Sequence, residues 1–223
     1  MNLIYILYFL LSPLIYLFLL VLIPFNAKVR ERWIKQRKTL HHIKKKSFKN
    51  PIVIHAASAG EFEQVKPLLS SYDKKNPIIQ TFFSPTIYNQ QNKSNLFDAC
   101  CYHPFDFPWS AFFFFRNIKP KAYIVNRHDI WPHFIIVAKI MKIKIYYINA
   151  NLSVDSLRIK YFKNFHCWLF KKMDFITTPS NEISNRFEKY FNIKNIKTLQ
   201  DTRYMQITNR IRERKKVLPD QLL

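Results

Sequence analysis

Two spacings of apolar residues alternate along most of the chain after residue 50. Short runs of β-branched and aromatic residues, typical of buried strands, are followed by longer stretches with apolar residues at helical spacing. The short runs predict strands at 52–55, 78–82, 99–102, 122–125, 144–148, 175–178 and 196–198. The longer stretches predict helices at 61–71, 85–91, 108–116, 132–141, 156–172 and 181–190. Strands that alternate with helices favour an α/β fold with a parallel sheet.

The N-terminal segment follows a different pattern. From Asn2 to Phe25 the sequence contains no charged residue, and about 20 apolar residues are enough for a helix to span a bilayer. A cleaved signal peptide would have a basic start and a small-residue cleavage site, and neither is present. We therefore predict a transmembrane helix that anchors the protein through residues 1–27. Pro13 and Pro24 leave open a kinked or interfacial helix.

A basic juxtamembrane segment is predicted at residues 28–50. It carries ten lysines and arginines against one acid, Glu31. Positive residues beside a membrane helix stay in the cytoplasm, so the following domain should face the cytoplasm from the inner membrane. The same charges suit anionic lipid head groups.

The whole chain has a formal charge of +22, which favours an anionic partner: nucleic acid, a membrane surface or a phosphorylated substrate. No nucleic-acid motif is present, and the aromatic run Phe112–Phe115 is typical of core or membrane-facing surface. We therefore expect no nucleic-acid partner. The three cysteines have no metal-ligand spacing, and they indicate a reducing compartment. We expect no metal site and no cofactor.

The only glycine of the chain, Gly60, stands directly before Glu61 and shortly after the first predicted strand. A glycine there permits a positive φ or a close approach of a ligand to the backbone. Ligands of open α/β sheets bind at the carboxyl ends of the strands, so Glu61 would stand at the mouth of such a crevice. The alternative is that Glu61 only complements the positive N-terminus of the following helix.

Five motifs resemble, in the same order, those of the 3-deoxy-D-manno-octulosonic acid (Kdo) transferases, membrane-anchored glycosyltransferases of lipopolysaccharide assembly. They are HAASAGE, YHPFDFPWSAFFFFRNIKPKAYIV, RHDIWP, NANLSVDSLRIKYFKNF and DTRYMQI. The chain thus resembles the N-terminal, acceptor-side half of that family. The resemblance implies a Rossmann-like domain of a GT-B type glycosyltransferase at residues 51–204. A basic C-terminal tail would follow at residues 205–223, at the junction with a second domain.

The resemblance also implies roles for individual residues. Glu61 matches a general base that takes a proton from a hydroxyl of a lipid A precursor as the oxygen attacks Kdo in CMP-Kdo. Asp129 matches a second catalytic acid. The implied substrate-binding residues are Ser58, Gly60, Ser84, Thr86, Asn149, Ser153 and Arg203. For Ser84 and Thr86 helix capping is an alternative.

Several positions depart from the family pattern. Arg127 stands where an acid is usual, Ile87 replaces a glycine, and Asn151 replaces an arginine that could bind a carboxylate or phosphate with two hydrogen bonds. His128 is either a new acid/base group or a structural residue. These departures place anion binding near residue 151 in doubt.

Family members have a second domain that binds the nucleotide sugar, and no glycine-rich phosphate loop occurs in this chain. We therefore expect the chain to be inactive alone, with the donor site supplied by a separate chain or lost. The alternative function is a non-catalytic, membrane-anchored lipid-binding or scaffold protein.

Overall fold

The computed structural model describes residues 2–73 and 75–199. Within them, seven parallel strands form one sheet in the order β3-β2-β1-β4-β5-β6-β7. The strands are β1 (Ile52–Ala56), β2 (Ile78–Phe82), β3 (Ala99–Tyr102), β4 (Ala122–Asn126), β5 (Lys144–Ile148), β6 (Phe175–Thr178) and β7 (Ile196–Thr198). The order reverses between β1 and β4, as in doubly wound Rossmann-like sheets. The predicted fold class is confirmed.

Helices connect the strands and precede them. They are α1 (Leu3–Leu22), α2 (Ala27–Lys46), α3 (Ala59–Ser71), α4 (Pro85–Gln91), α5 (Pro108–Ile118), α6 (Pro132–Ile140), α7 (Leu157–Lys160), α8 (Lys163–Phe170) and α9 (Asn181–Phe191). Helix α1 has a mean hydropathy of 2.4 and is long and apolar enough to cross a membrane.

The two faces of the sheet bury separate cores. Alternate side chains of β1 point to opposite faces, so Ile54 packs with α3 on one side and Val53 lies in the larger cluster on the other. Helices α5, α6 and α8 cover that larger cluster. A parallel sheet covered on both faces explains why its strands are short apolar runs without alternation.

The predicted single helix at 156–172 is wrong, because the chain leaves helical geometry between α7 and α8. At Phe162 the backbone has φ −117° and ψ 25°, and its N–H donates to the Leu157 carbonyl at 3.2 Å. Ile159 and Phe165, on either side of the break, both pack on the same core. The apolar spacing therefore continues across the break and conceals it.

Helix α2, in the basic juxtamembrane segment, was not predicted, because few of its residues are buried. It runs along the edge strand β3, where the Thr39 hydroxyl accepts the Tyr102 N–H at 3.3 Å. Covering an edge strand in this way protects it from pairing with other chains. Arg32 is buried between the rings of Phe83 and Phe105, and its Nη2 donates to the His103 carbonyl at 2.6 Å. This arginine is therefore not available to lipid head groups.

Candidate active site

The first turn of α3 begins directly after β1. Ser58 caps the helix, and its hydroxyl accepts the Glu61 N–H at 3.4 Å. Gly60 lies within this turn without a positive φ, so of the two possibilities for this glycine the close approach of a ligand remains. A Cβ atom at Gly60 would meet nothing within 4 Å, which leaves open space above the turn. The close approach of a ligand at Gly60 stays a prediction.

Glu61 and Asp129 lie side by side where β1 and β4 end. The Ala57 N–H donates to Glu61 Oε2 at 2.8 Å and to Asp129 Oδ2 at 2.9 Å. Burial, and then the hydrogen bond and charge of Glu61, raise the pKa of Asp129 to about 8. Because two adjacent carboxyl groups resist ionising together, the pair holds one proton at neutral pH.

A neutral histidine lies behind this pair. His55 Nε2 is 3.8 Å from Asp129 Oδ2, and its Nδ1 is 2.9 Å from the Thr81 hydroxyl. Burial, and then the charge of Arg32, lower the pKa of His55 to about 3, so it does not form an ion pair with Asp129. His55 was not predicted as a site residue, although a histidine inside an otherwise apolar strand is a signal of one.

Buried amides fix Glu61 from below. Asn126 Nδ2 donates to the Glu61 carbonyl at 3.0 Å and to Gln64 Oε1 at 3.2 Å. Asn149 Nδ2 in turn donates to Asn126 Oδ1 at 2.9 Å. The structure thus places Asn149, expected to bind substrate, in the network that joins β4, β5 and α3.

The loop after β2 lies beside the loop after β1. The Ser84 N–H donates to the Ala57 carbonyl at 3.0 Å, and the Ser84 side chain makes no capping hydrogen bond to α4. Thr86 is exposed at the start of α4. Ile87, in the place of a family glycine, is buried in the core. Ser84 therefore lies beside Ala57, whose N–H contacts both carboxyl groups, and substrate binding by Ser84 and Thr86 stays a prediction.

A polar cavity of about 270 Å³ lies where β4 and β5 end. Its lining residues are His128, Asn151, Ser153, Asp155, Ser156 and Arg158. Arg158 Nη2 donates to the His128 carbonyl at 3.2 Å and Nη1 to the Tyr147 hydroxyl at 3.4 Å. Burial, then the charges of Arg158 and Arg127, lower the pKa of His128. Arg158, which the sequence analysis did not single out, places a guanidinium beside Asn151.

The crossover motif residues Asp201, Thr202 and Arg203 lie outside the described residues. Among the residues that the structure describes, no group of three or more histidine, cysteine, aspartate or glutamate side chains is placed to hold a metal ion.

Residues 27–206 match the profile of the 3-deoxy-D-manno-octulosonic-acid transferase (kdotransferase) family. The chain is 30% identical over 146 residues to the 3-deoxy-D-manno-octulosonic acid transferase of Aquifex aeolicus, covering 65% of this chain and 38% of that protein. It is 26% identical over 181 residues to the Chlamydia muridarum transferase, covering 75% of this chain and 42% of that protein. The chain therefore matches less than half of the length of these relatives.

Among solved structures, the UDP-N-acetylglucosamine 2-epimerase of Rickettsia bellii superposes with a TM-score of 0.57 at 13% identity, covering 76% of this chain and 49% of that one. The UDP-GlcNAc 2-epimerase of Neisseria meningitidis gives 0.56 at 12% identity, covering 74% and 50%. At this identity the likeness concerns the fold alone.

Proposed function

This chain belongs to the Kdo transferase family, and we propose that it supplies the acceptor side of a transfer of Kdo from CMP-Kdo to a lipid A precursor in lipopolysaccharide core assembly. The observation that carries this proposal is the pair of Glu61 and Asp129 at the carboxyl ends of β1 and β4. A carboxylate at the carboxyl ends of the strands, one residue from the open space at Gly60, is positioned to accept a proton from a bound hydroxyl group.

Glu61 acts as the general base. The acceptor hydroxyl gives its proton to Glu61 as its oxygen bonds to the anomeric carbon of Kdo, and the bond from that carbon to the CMP phosphate oxygen breaks. Asp129 holds the proton of the pair and orients Glu61, and the Ala57 N–H fixes both carboxyl groups. The open space above Gly60 admits the acceptor sugar.

The polar cavity beside Arg158 receives an anionic group of a substrate. A guanidinium and neighbouring hydroxyl groups suit a phosphate of the acceptor or the carboxylate of Kdo. Ser153 and Asn151 line the same cavity, so Arg158 supplies the guanidinium that residue 151 lacks.

Membrane attachment belongs to the same proposal. The exposed apolar surface of α1 and the exposed cations of α2 support attachment to the cytoplasmic face of the inner membrane and contact with anionic lipids. We propose further that CMP-Kdo binds to a region equivalent to the rest of the longer relatives, so that the 223 residues alone do not catalyse transfer.

A second candidate is a membrane-anchored protein that binds the lipid without catalysis. The observation that favours it concerns the loop after β2. The position that is a glycine in the family motif is Ile87 here, and its side chain is buried in the core. Retention of the carboxyl pair favours the catalytic function.

The test is a transfer assay in membranes with labelled CMP-Kdo and a tetra-acylated, bisphosphorylated lipid A precursor. The full chain is assayed alone and with a separately expressed donor-binding domain of a relative. Glu61→Gln should abolish transfer, whereas Glu63→Gln, on the same helix and paired with Lys66, should leave it unchanged. Lipid binding without transfer in any mixture would support the second candidate instead.

A further inference from the structure

Helix α1 packs on the rest of the protein along one narrow side. Its buried residues, Tyr5, Ser12 and Leu19, are seven positions apart and therefore lie on one face. Most other residues of the helix are apolar and exposed, among them Leu3, Leu7, Leu10, Leu14, Leu17, Phe18 and Val21. The helix thus has one side on the protein and an apolar surface over the rest.

Polar contacts hold the first half of this side. The Tyr8 hydroxyl donates to Asp106 Oδ2 at 3.0 Å, and the Ser12 hydroxyl is 3.3 Å from His133 Nε2. Asp106 Oδ1 also accepts the N–H groups of His133, at 3.1 Å, and of Phe134, at 3.3 Å, at the start of α6. The partners of α1 are therefore integral parts of the Rossmann-like domain.

Aromatic contacts hold the second half. The Tyr16 ring packs edge-on against Phe107, with centroids 5.3 Å apart, and against Trp109, at 5.6 Å. It also contacts Trp33 of α2 at 5.7 Å. From Tyr5 to Leu19 the contact covers about 21 Å of the helix axis, at 1.5 Å per residue.

A helix that spans a bilayer crosses roughly 30 Å of hydrocarbon. If α1 spanned the membrane in this fold, Asp106, His133 and the start of α6 would lie inside the hydrocarbon. If α1 left the domain instead, these buried polar groups would lose Tyr8 and Ser12, at a cost in free energy. We propose that α1 lies in the plane of the membrane interface, with both of its ends on the same side as the domain. This inference rests on the membrane attachment proposed above and adds the orientation of α1 to it.

The neighbouring surface fits an anionic bilayer. A cavity of about 240 Å³ is lined by Tyr16 of α1, Arg37 of α2 and Phe113 of α5, so apolar and cationic surfaces meet beside α1. Phe113 is 56% exposed. The described side chains of α2 also expose a group of cations, which are Lys28, Arg30, Arg37, Lys38, Lys44, Lys45 and Lys46. An apolar helix flanked by exposed cations is the pattern of an interfacial anchor.

The in-plane orientation places the candidate active site at the lipid surface. A cavity of about 450 Å³ lies between Ile4 and Tyr8 of α1, Trp131 at the start of α6, and Phe162. Trp131 packs edge-on against His55, with ring centroids 6.3 Å apart, and His55 Nε2 is 3.8 Å from Asp129 Oδ2, so this mainly apolar cavity leads from α1 towards the carboxyl pair. A lipid acceptor can then reach Glu61 while its acyl chains stay in the membrane.

Labelling of single added cysteines tests the orientation in the full chain. Asn2→Cys and Lys28→Cys lie at the starts of α1 and α2, and each is treated with a membrane-impermeant thiol reagent in intact and in lysed spheroplasts. We expect labelling above that of the unchanged chain only after lysis for both variants. Labelling of Asn2→Cys alone in intact spheroplasts would show a spanning helix and overturn the proposal. Labelling of both in intact spheroplasts would support the in-plane helix but overturn the cytoplasmic location proposed above.

A depth measurement gives an independent answer if Asn2→Cys disturbs the cap of α1. Leu14→Trp places an indole on the exposed side near the middle of α1, and Leu199→Trp is a matched exposed position after β7, at the opposite edge of the sheet from β3 and α2. Vesicles of anionic phospholipids carry bromine near the head groups or near the chain ends. We expect Leu14→Trp to add fluorescence that the shallow bromines quench most strongly, and Leu199→Trp to add fluorescence that neither set of bromines quenches. Strongest quenching by deep bromines, or no added quenching at Leu14→Trp, would overturn the proposal.

Discussion

The loop after β1 and the loops after β4 and β5 lie at the same edge of the sheet, but they are built differently. After β1, Glu61 is buried and fixed by the Ala57 N–H, by Asp129 and, through its carbonyl, by Asn126. After β5, Asn151 and Arg158 line an open cavity. The matching residues Glu61, Asp129 and Asn149 are braced from within, whereas the departure at Asn151 lines the cavity and the departure at Arg127 directly precedes its lining residue His128. Braced positions resist change because one substitution leaves several buried groups without partners.

Substitution of one asparagine in each region tests the difference between the braced region and the open cavity. Asn126→Leu should lower the free energy of unfolding by about 3 kcal/mol, because Gln64, Asn149 and the Glu61 carbonyl lose hydrogen-bond partners. Asn151→Leu, at the cavity, should change it by less than about 0.5 kcal/mol. Urea unfolding of both variants measures the difference. Equal effects would contradict the distinction between the two regions.

Arg158 should matter for binding more than for stability. Arg158→Gln should raise the KM of one substrate by about 10- to 100-fold, since a hydrogen bond to a charged group contributes about 1.5–3 kcal/mol. Lys160→Gln, on the same short helix and paired with Asp155, is the control. Transfer assays that vary acceptor and CMP-Kdo separately identify whether the anion is a phosphate or the Kdo carboxylate. Unchanged KM values for both the acceptor and CMP-Kdo would show that Arg158 does not bind a substrate.

The proton on Asp129 should make stability depend on pH. The pKa of this group is about 8 in the folded protein against an ordinary 3.8. At a pH between these two values, Asp129 is protonated in the folded protein and ionised in the unfolded protein. The free energy of unfolding therefore decreases as the pH rises through this range. Asp129→Asn removes this loss, so above pH 8 it should be more stable than the unchanged protein by on the order of 1 kcal/mol or more.

Asp174 provides the opposite case for the same measurement. Although burial raises its pKa, the Ile145 N–H and the charge of Lys139 outweigh burial, so the pKa of Asp174 is lowered. Asp174→Asn should therefore destabilise the protein at neutral pH, and the difference should shrink as pH falls through the folded-state pKa. Thermal unfolding measured across pH tests both predicted directions. If the melting temperatures of Asp129→Asn and Asp174→Asn changed with pH in the same way, the opposite pKa shifts of the two groups would be refuted.

Gly60 is a position where a substitution should not lower stability. Gly60→Ala should leave the free energy of unfolding unchanged or raise it by up to about 1 kcal/mol, because alanine favours a helix and its Cβ meets no atom. Transfer should nevertheless decrease, since the methyl group occupies the space proposed for the acceptor. Urea unfolding and the transfer assay together test this. Unchanged transfer would mean that no ligand approaches Gly60.

The sheet could be predicted from the sequence mainly because β1 to β4 and β6 are short runs, such as 78–82, that are largely buried on both faces. Helix α2 could not, since Arg32 and Ile43 are its only buried residues among those described and most of its other side chains are polar. The break at Phe162 was concealed because the core lies on the same side of α7 and α8.

The candidate site could be predicted only in part. Glu61 and Asp129 are 68 positions apart in sequence, and the resemblance to a known family, not any local pattern, linked them. Arg158 contributes to the site because α7 points its side chain towards Tyr147 and His128. The spacing of residues in the sequence does not specify this direction. For Asn149 the resemblance predicted a contact with substrate, whereas in the structure its side-chain amide donates a hydrogen bond to Asn126.

The buried guanidinium of Arg32 bears on how this enzyme family is handled in the laboratory. Trimming the first 46 residues is an obvious way to obtain a water-soluble fragment, yet it would remove the side chain that fills the space between Phe83 and Phe105 and holds the His103 carbonyl. His103 stacks on His55, with ring centroids 4.0 Å apart, and His55 stands behind Asp129. A fragment shortened in this way would lose packing behind the candidate site together with α1, so its inactivity would say nothing about the intact protein.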